Sequence, residues 1–553
     1  MPTPESSIAT PGISTSGDFE YMKLSQTLLA AFPSQNDIDI LCKSDYQATY
    51  YFHKIMTNAD HGLDHEAYNF VDELAQIPSP STHPVMIAKR MLIFASFLQY
   101  FPPHTVAELS EPASIVIKRL TDAAIQLVTT NDDLVDCMEG LECIVLEACF
   151  QANAGNLRRS WYALRRAMLT AQIMKLDKEN QSPRRIDPRT TVDPKFMWLR
   201  LVIIDRFLSL MLGLAEGNPG KLSYENLSAA DPRTQLEFMQ AEIIGHLIRR
   251  NATDPLAQDV RTTQDLDAQL LRVAKSMPEE FWHPPNFSIL EMNSQDDFSE
   301  TRRLGYQLHH FNLVHLLHLP YLLSSNGHSY DKYAKFTCIN ASREILSRFV
   351  DFRNFHKFTT CCRTGDLFAL MAGITILISH IDGHRNPNPT ENLLAHQRLS
   401  DRAIVEHVVA NMNEVAMNSD DKLLGRNADI LKGLLKCERA AVDDDSYTAS
   451  SALCCLEQEF NALQTPISYF GMAKVPLHVD NIPLPVNTSN DVFSFAGPRQ
   501  PSSNGLLPMQ SQLSYLPADQ QTLHPSLTDT MQDPMFQGVD AMFFDGVTRA
   551  GWL

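Results

Sequence analysis

Asp132, Asp133 and Asp136 stand in the pattern Asp-Asp-x-x-Asp. Residues four apart on a helix share a face. Carboxylates so placed could bridge magnesium ions to a diphosphate. A plainer chemistry competes with this one. Thr130 or Asn131 can cap a helix that starts here, and acids in a first turn suit the helix dipole. His61 and His65 are spaced i, i+4 beside Asp60, Asp64 and Glu66. That spacing can bind a metal, but HExxH is not formed and no third ligand is evident, so an exposed polar turn is expected. His309, His310, His315 and His318 fall in a very apolar stretch and read as satisfied core or interface histidines. Cys137, Cys143 and Cys149 recur every six residues. That step rotates roughly 240° on a helix, so adjacent thiols cannot converge on one metal, and they read as core cysteines. No GxSxG, no P-loop and no GxGxxG in a strand-turn-helix setting occurs.

The elements that must carry these residues are helical. Apolar residues recur at helical period in His83–Tyr100, Asp133–Gln151, Asn156–Leu176, Lys195–Leu214, Thr234–Ile248 and Thr301–Leu319. They continue in Ala341–Phe352, Asp366–Ile381, Asp401–Met417, Asp420–Leu435 and Tyr447–Leu463. In one of these, Ile404, Val408, Met412 and Val415 share a face, with Glu406, His407, Asn411 and Asn413 elsewhere. No run of period-two strands joined by hairpin turns is found, and no repeat of fixed period. The expected fold is all-α: one large, irregular helical domain over residues 19–465. Residues 1–18, rich in Pro, Ser, Thr and Gly, are expected to be disordered. So is the tail over 466–553, where proline recurs too often for any long helix.

The chain has 553 residues, a hydrophobic fraction of 44% and a formal net charge of −19. It can bury a sizeable core. Such an acidic chain repels phosphate backbones unless a local basic patch intervenes. The densest arginine cluster, Arg158, Arg159, Arg165 and Arg166, is interleaved with apolar residues and reads as exposed arginines on an amphipathic helix. The ten cysteines are scattered, which suits a reducing compartment. The N-terminus lacks a basic region followed by an apolar run, so no signal peptide is expected. The longest strongly apolar helix, near Lys195–Leu214, is interrupted by Arg200, Asp205 and Arg206. Each would cost about 2.5–3.5 kcal/mol at a bilayer centre, so a buried helix is expected and no membrane contact.

From Ala441 to the end there are twelve acidic and three basic residues, a net of −9. The last stretch places Phe536, Met542, Phe543, Phe544 and Trp552 among sparse acids. That is the composition of amphipathic activation segments. The competing expectation is a strip that docks on its own core or does nothing.

The centre of the chain reads Arg158-Arg159-Ser160-Trp161-Tyr162-Ala163-Leu164-Arg165-Arg166-Ala167, then Phe196-Met197-Trp198-Leu199-Arg200, then Asp205-Arg206-Phe207-Leu208 through Gly213-Leu214. This resembles the middle homology region of fungal zinc-cluster transcription factors. Ala31-Phe32-Pro33-Ser34-Gln35-Asn36-Asp37 looks like that family's opening segment. Gly305-Tyr306-Gln307-Leu308-His309, Leu316 to Tyr321, Cys362-Arg363, Asp366, Leu377, His380, Ile381 and Asp382 are similar to its later core. The resemblance covers roughly Phe32 to His384 and marks Trp161, Arg165, Arg166, Trp198, Arg200, Asp205, Arg206 and Gly213 as its core motif. Where the family often has Gly-Arg-Pro, this chain has Gly213-Leu214-Ala215, which is expected to alter only a loop. The six cysteines that hold two zinc ions in that family have no counterpart here: no cysteine precedes Cys42 and no CxxC occurs.

The resemblance implies a nuclear transcriptional regulator or coregulator of a biosynthetic or metabolic gene set, with no catalysis and no cofactor. Its expected partners are a DNA-binding transcription factor or dimer partner, and transcription machinery recruited by the tail. No direct sequence-specific DNA binding is expected, and no basic localisation run is evident, so nuclear import is expected to depend on that partner. The alternative is an all-α enzyme of the terpene-synthase type using Asp132, Asp133 and Asp136. The second metal motif of such enzymes is missing: Asn490-Asp491-Val492-Phe493-Ser494 has Pro498 where the glutamate should stand. One structural expectation needs no family. A helix apolar all round surrounds Asp205 and Arg206 with hydrophobic neighbours, so each needs a partner, and Asp205 is expected to pair with an arginine of the 158–166 segment.

Overall fold

The computed structural model describes residues 15–43, 74–100, 108–178, 182–190, 192–223, 231–254, 259–292, 294–322, 329–356, 363–384, 392–419 and 422–443. Among them no strand forms. The helices are α1 (Thr15–Ala30), α2 (Gln35–Lys43), α3 (Pro84–Tyr100), α4 (Ala113–Ala124), α5 (Asp132–Val135), α6 (Met138–Asn153), α7 (Leu157–Ile173) and α8 (Pro194–Leu212). They continue as α9 (Pro232–Thr253), α10 (Val260–Lys275), α11 (Gln295–His318), α12 (Ser329–Phe355), α13 (Arg363–His384), α14 (Arg398–Ser419) and α15 (Lys422–Asp443).

Local chemistry sets many of the boundaries. Asp193, Asp231 and Asp259 each accept a backbone N–H two residues on and so cap α8, α9 and α10. Pro194 and Pro232 follow as first helical residues, where a missing N–H costs nothing. Gly213 ends α8 at φ 66°, a left-handed conformation that glycine adopts without strain. Helix α1 begins at Thr15, so it takes in the last four residues of the stretch expected to be disordered, and it seats Leu24, Leu28 and Leu29 on the smaller core.

Two apolar cores are joined through α6. The smaller is built from α1 to α4 with Leu134, Cys137, Cys143, Leu146 and Phe150. The larger runs from Val135, Met138, Leu141 and Ile144 through α7 to α15. Helix α6 is therefore buried on opposite faces, and its three acids each find a different neighbour. Glu139 accepts the N–H groups of Ile186 and Asp187 and the Thr190 hydroxyl. Glu142 pairs with Lys89 of α3 at 2.8 Å, and Glu147 with Arg166 of α7 at 2.7 Å.

The single helix expected over Asp133–Gln151 is two. Helix α5 ends at Val135, Asp136 leaves the helical region (ψ 56°), and Cys137 caps α6 through its sulfur. Among the described helices it is α13, not α8, that combines length with high apolarity. It is long and apolar enough to cross a bilayer, yet α11, α12, α14 and α15 pack around it and enclose most of its side chains.

Candidate functional site

The core motif assembles where α7, α8 and α9 meet. Fourteen of the nineteen α8 residues are buried, as expected of a helix apolar all round. Asp205 is fully buried, and Arg165 of α7 places Nε 2.7 Å from its Oδ1. The expected pair therefore forms. Its N–H is not aligned for a hydrogen bond, so the contact is a close ion pair. Two aligned bonds complete the site: the Gly217 N–H donates to Asp205 Oδ2 at 2.6 Å, and Trp161 Nε1 donates to Ser209 Oγ at 3.1 Å. The Arg165 guanidinium lies 4.7 Å from the Trp161 ring centroid. Burial pushes the Asp205 carboxyl above its ordinary range, with the Gly217 N–H and Arg165 opposing that rise.

Arg206 points away from Asp205 and is 1% exposed. It meets Glu216 and Glu242, each at 2.8 Å. It also donates to the carbonyls of Ala241 at 3.0 Å and Gly220 at 2.6 Å. The loop after α8 is thus held from several directions: Ala215 by Arg165, Gly217 by Asp205, and Gly220 by Arg206. The Gly213-Leu214-Ala215 departure falls inside this clamp, where Ala215 contributes only its backbone carbonyl.

Arg200 faces the opposite side of α8. It pairs with Glu237 of α9, lies over the Phe196 ring at 4.9 Å and is bonded to Tyr306 of α11. Burial by itself would lower its pKa; Glu237 and Tyr306 outweigh that and raise it. The Tyr306 hydroxyl is pushed up to about 12 by burial and by Glu237. Arg166 faces α6 and holds both oxygens of Glu147, which also accepts from Thr129 Oγ1 at 2.5 Å. Trp198 is half-buried against the larger core.

The structure therefore brings Trp161, Arg165 and Asp205 together and sends Arg166, Arg200 and Arg206 to three other interfaces. Reading the sequence alone missed Ser209, Glu147, Glu216, Glu237 and Glu242. A buried arginine predicts an acid somewhere, but nothing local indicates which. Arg165 and Arg166 are partly covered rather than exposed as expected, and both are ion-paired. Beside them Tyr162, Leu169 and Ile173 are exposed on one face of α7.

The carboxylates of Asp132, Asp133 and Asp136 are exposed but do not form one helical face, because α5 is a single turn and ends before Asp136. Asn131 caps that turn by accepting the Asp133 N–H at 3.2 Å. Among the described residues no group of three His, Cys, Asp or Glu side chains could hold a metal ion. His310, His315 and His318 are buried on α11. His315 bonds Thr375 at 2.9 Å, and His318 meets Asp267 at 3.2 Å. Cys137 and Cys143 are buried, with thiols raised by burial. His61, His65, Asn490 to Pro498 and the tail residues Phe536, Met542, Phe543, Phe544 and Trp552 lie outside the described residues.

No model of a known protein family matches the chain. Individual proteins do. The dehydrocurvularin biosynthesis regulator of Aspergillus terreus is 40% identical over 427 residues, covering 75% of this chain and 58% of the relative. A regulator of the same name from Alternaria cinerariae is 36% identical, over 85% of this chain and 66% of its own length. The chain thus spans less than two thirds of either relative. It is also 31% identical, over 98% of its length and 84% of the relative's, to the protein named probable transcription factor gsfR1 of Penicillium aethiopicum. With its charged core motif built into a helical body and that similarity extending along nearly all of its length, the chain belongs to a family of fungal transcription factors.

Proposed function

We propose that this chain is a nuclear transcriptional regulator of a biosynthetic gene set, that it is not an enzyme, and that contact with DNA is made by a module outside the helical body, supplied by a DNA-binding partner. The observation that carries the reading is the relatedness along the chain to proteins named as regulators of dehydrocurvularin biosynthesis and as a transcription factor. The wiring of the body supports the division of labour. Its core arginines are each matched to a carboxylate, so they are poorly placed to neutralise phosphates, and the chain as a whole carries −19. The acidic-aromatic composition of residues 535–553 supports a role in recruiting transcription machinery.

The test is to tether the full chain to a heterologous DNA-binding domain upstream of a reporter. Activation that disappears when residues 535–553 are deleted is the expected result. A silent reporter with both forms, each shown to be present in the nucleus, overturns the reading.

A further inference from the structure

A cavity of about 370 Å³ opens between α9 and α10. That is within the range of small-molecule sites, roughly 300–1,000 Å³. Leu266 is the one apolar residue among those that line it. From α9 come His246 and the consecutive guanidiniums of Arg249 and Arg250; from α10 come Asp265 and Gln269.

Arg249 is the group with donors to offer. Its side chain is 43% exposed, and its bonds to Glu216 and to the Pro219 carbonyl both leave from Nη1. The guanidinium has five N–H donors, so Nε and Nη2 have no hydrogen-bond partner among the described residues. Beneath it Arg250 is buried and held by Thr263 Oγ1 at 3.1 Å, the Leu317 carbonyl at 3.2 Å and Asn251 Oδ1 at 2.8 Å. Asp265 is exposed on α10 and forms no ion pair among the described residues. A ligand that satisfies both walls carries an anion toward α9 and a hydrogen-bond donor toward Asp265.

We propose that this cavity is a binding site for a small hydroxycarboxylate. Arg249 and His246 take the carboxylate, and Asp265 accepts from the hydroxyl. The site is connected to the core motif through one residue. Glu216 holds Arg249 with one oxygen and Arg206 with the other. A bound carboxylate draws on the same guanidinium that steadies Glu216, so occupancy is transmitted to the loop that Asp205 and Arg206 clamp. This inference goes beyond the regulatory reading and does not depend on it.

The experiment is calorimetric titration of the purified full chain with citrate at constant ionic strength, with tricarballylate as the equally charged anion lacking the hydroxyl. Saturable one-site binding, tighter for citrate, is expected. Gln269→Glu places a negative charge in the cavity at a half-exposed position and should weaken citrate about fivefold, while Gln269→Lys should tighten it by a similar factor. Asp265→Asn should narrow the preference for citrate, and Arg249→Gln should abolish binding. Because Arg249→Gln also loosens Glu216, the Gln269 pair is decisive. No saturable heat with citrate, or equal affinity in Gln269→Glu and Gln269→Lys, overturns the proposal.

Discussion

Asp205 and Arg165 illustrate what a buried charge demands of its surroundings. A carboxylate removed from water needs several simultaneous donors, and this one has the Gly217 N–H on one oxygen and Arg165 on the other. Removing one partner leaves the other uncompensated, which typically costs about 3–5 kcal/mol, whereas removing both together costs much less. Asp205→Leu and Arg165→Met should therefore each lower the urea-unfolding free energy by about that amount, and the double variant by less than the sum. Single variants within about 1 kcal/mol of the natural chain would show that the pair is energetically idle.

On α11 the relevant property is the protonation of three histidines that point to different neighbours. His309 packs on Phe207, with ring centroids 4.9 Å apart, and His310 on Trp282 at 4.8 Å. Burial lowers both to about 4, and lowers His315 to about 3. In the unfolded chain a histidine titrates near 6.5. Between that value and about 4 the unfolded state binds more protons, so the stability these residues contribute is present above pH 6.5 and is lost as pH falls toward 4. Asp205 and Glu147, raised by burial, act in the opposite sense. A difference profile separates the two effects. His310→Gln should remove on the order of 3 kcal/mol of acid sensitivity between pH 6.5 and 4. Unfolding curves that fall in parallel for variant and natural chain would refute this assignment.

Across the whole molecule, α6 decides how the two cores behave. Its residues belong to both, and its acids tie it to α3, to α7 and to the 182–190 loop. Neither core can open without exposing α6. Tryptophan fluorescence reports the larger core through Trp161, Trp198 and Trp282, while labelling of Cys143 reports the smaller one. The two probes should lose their native signal at the same denaturant concentration. Separate midpoints would mean that the cores unfold independently.

The amino-acid pattern by itself determined that the body is helical and where most of its long helices run, because a 3.6-residue apolar period is a local signal that each segment carries alone. It also determined that Asp205 needs a partner, because a carboxylate buried beside apolar neighbours cannot be left uncompensated, and the expected pairing with the 158–166 segment forms through Arg165. The period singles out none of α1, α2, α4 and α10, which are short, weakly patterned or rich in charge, and it runs on across the break at Asp136. Only the tertiary structure decided that Arg165 rather than Arg166 meets Asp205, that Glu216 serves both Arg206 and Arg249, and that α9 and α10 leave a polar cavity between them. Those partners lie 10 to 40 residues apart in sequence. Which of them meet depends on how whole helices cross and on how the intervening loop closes, and no local rule of spacing reaches that far.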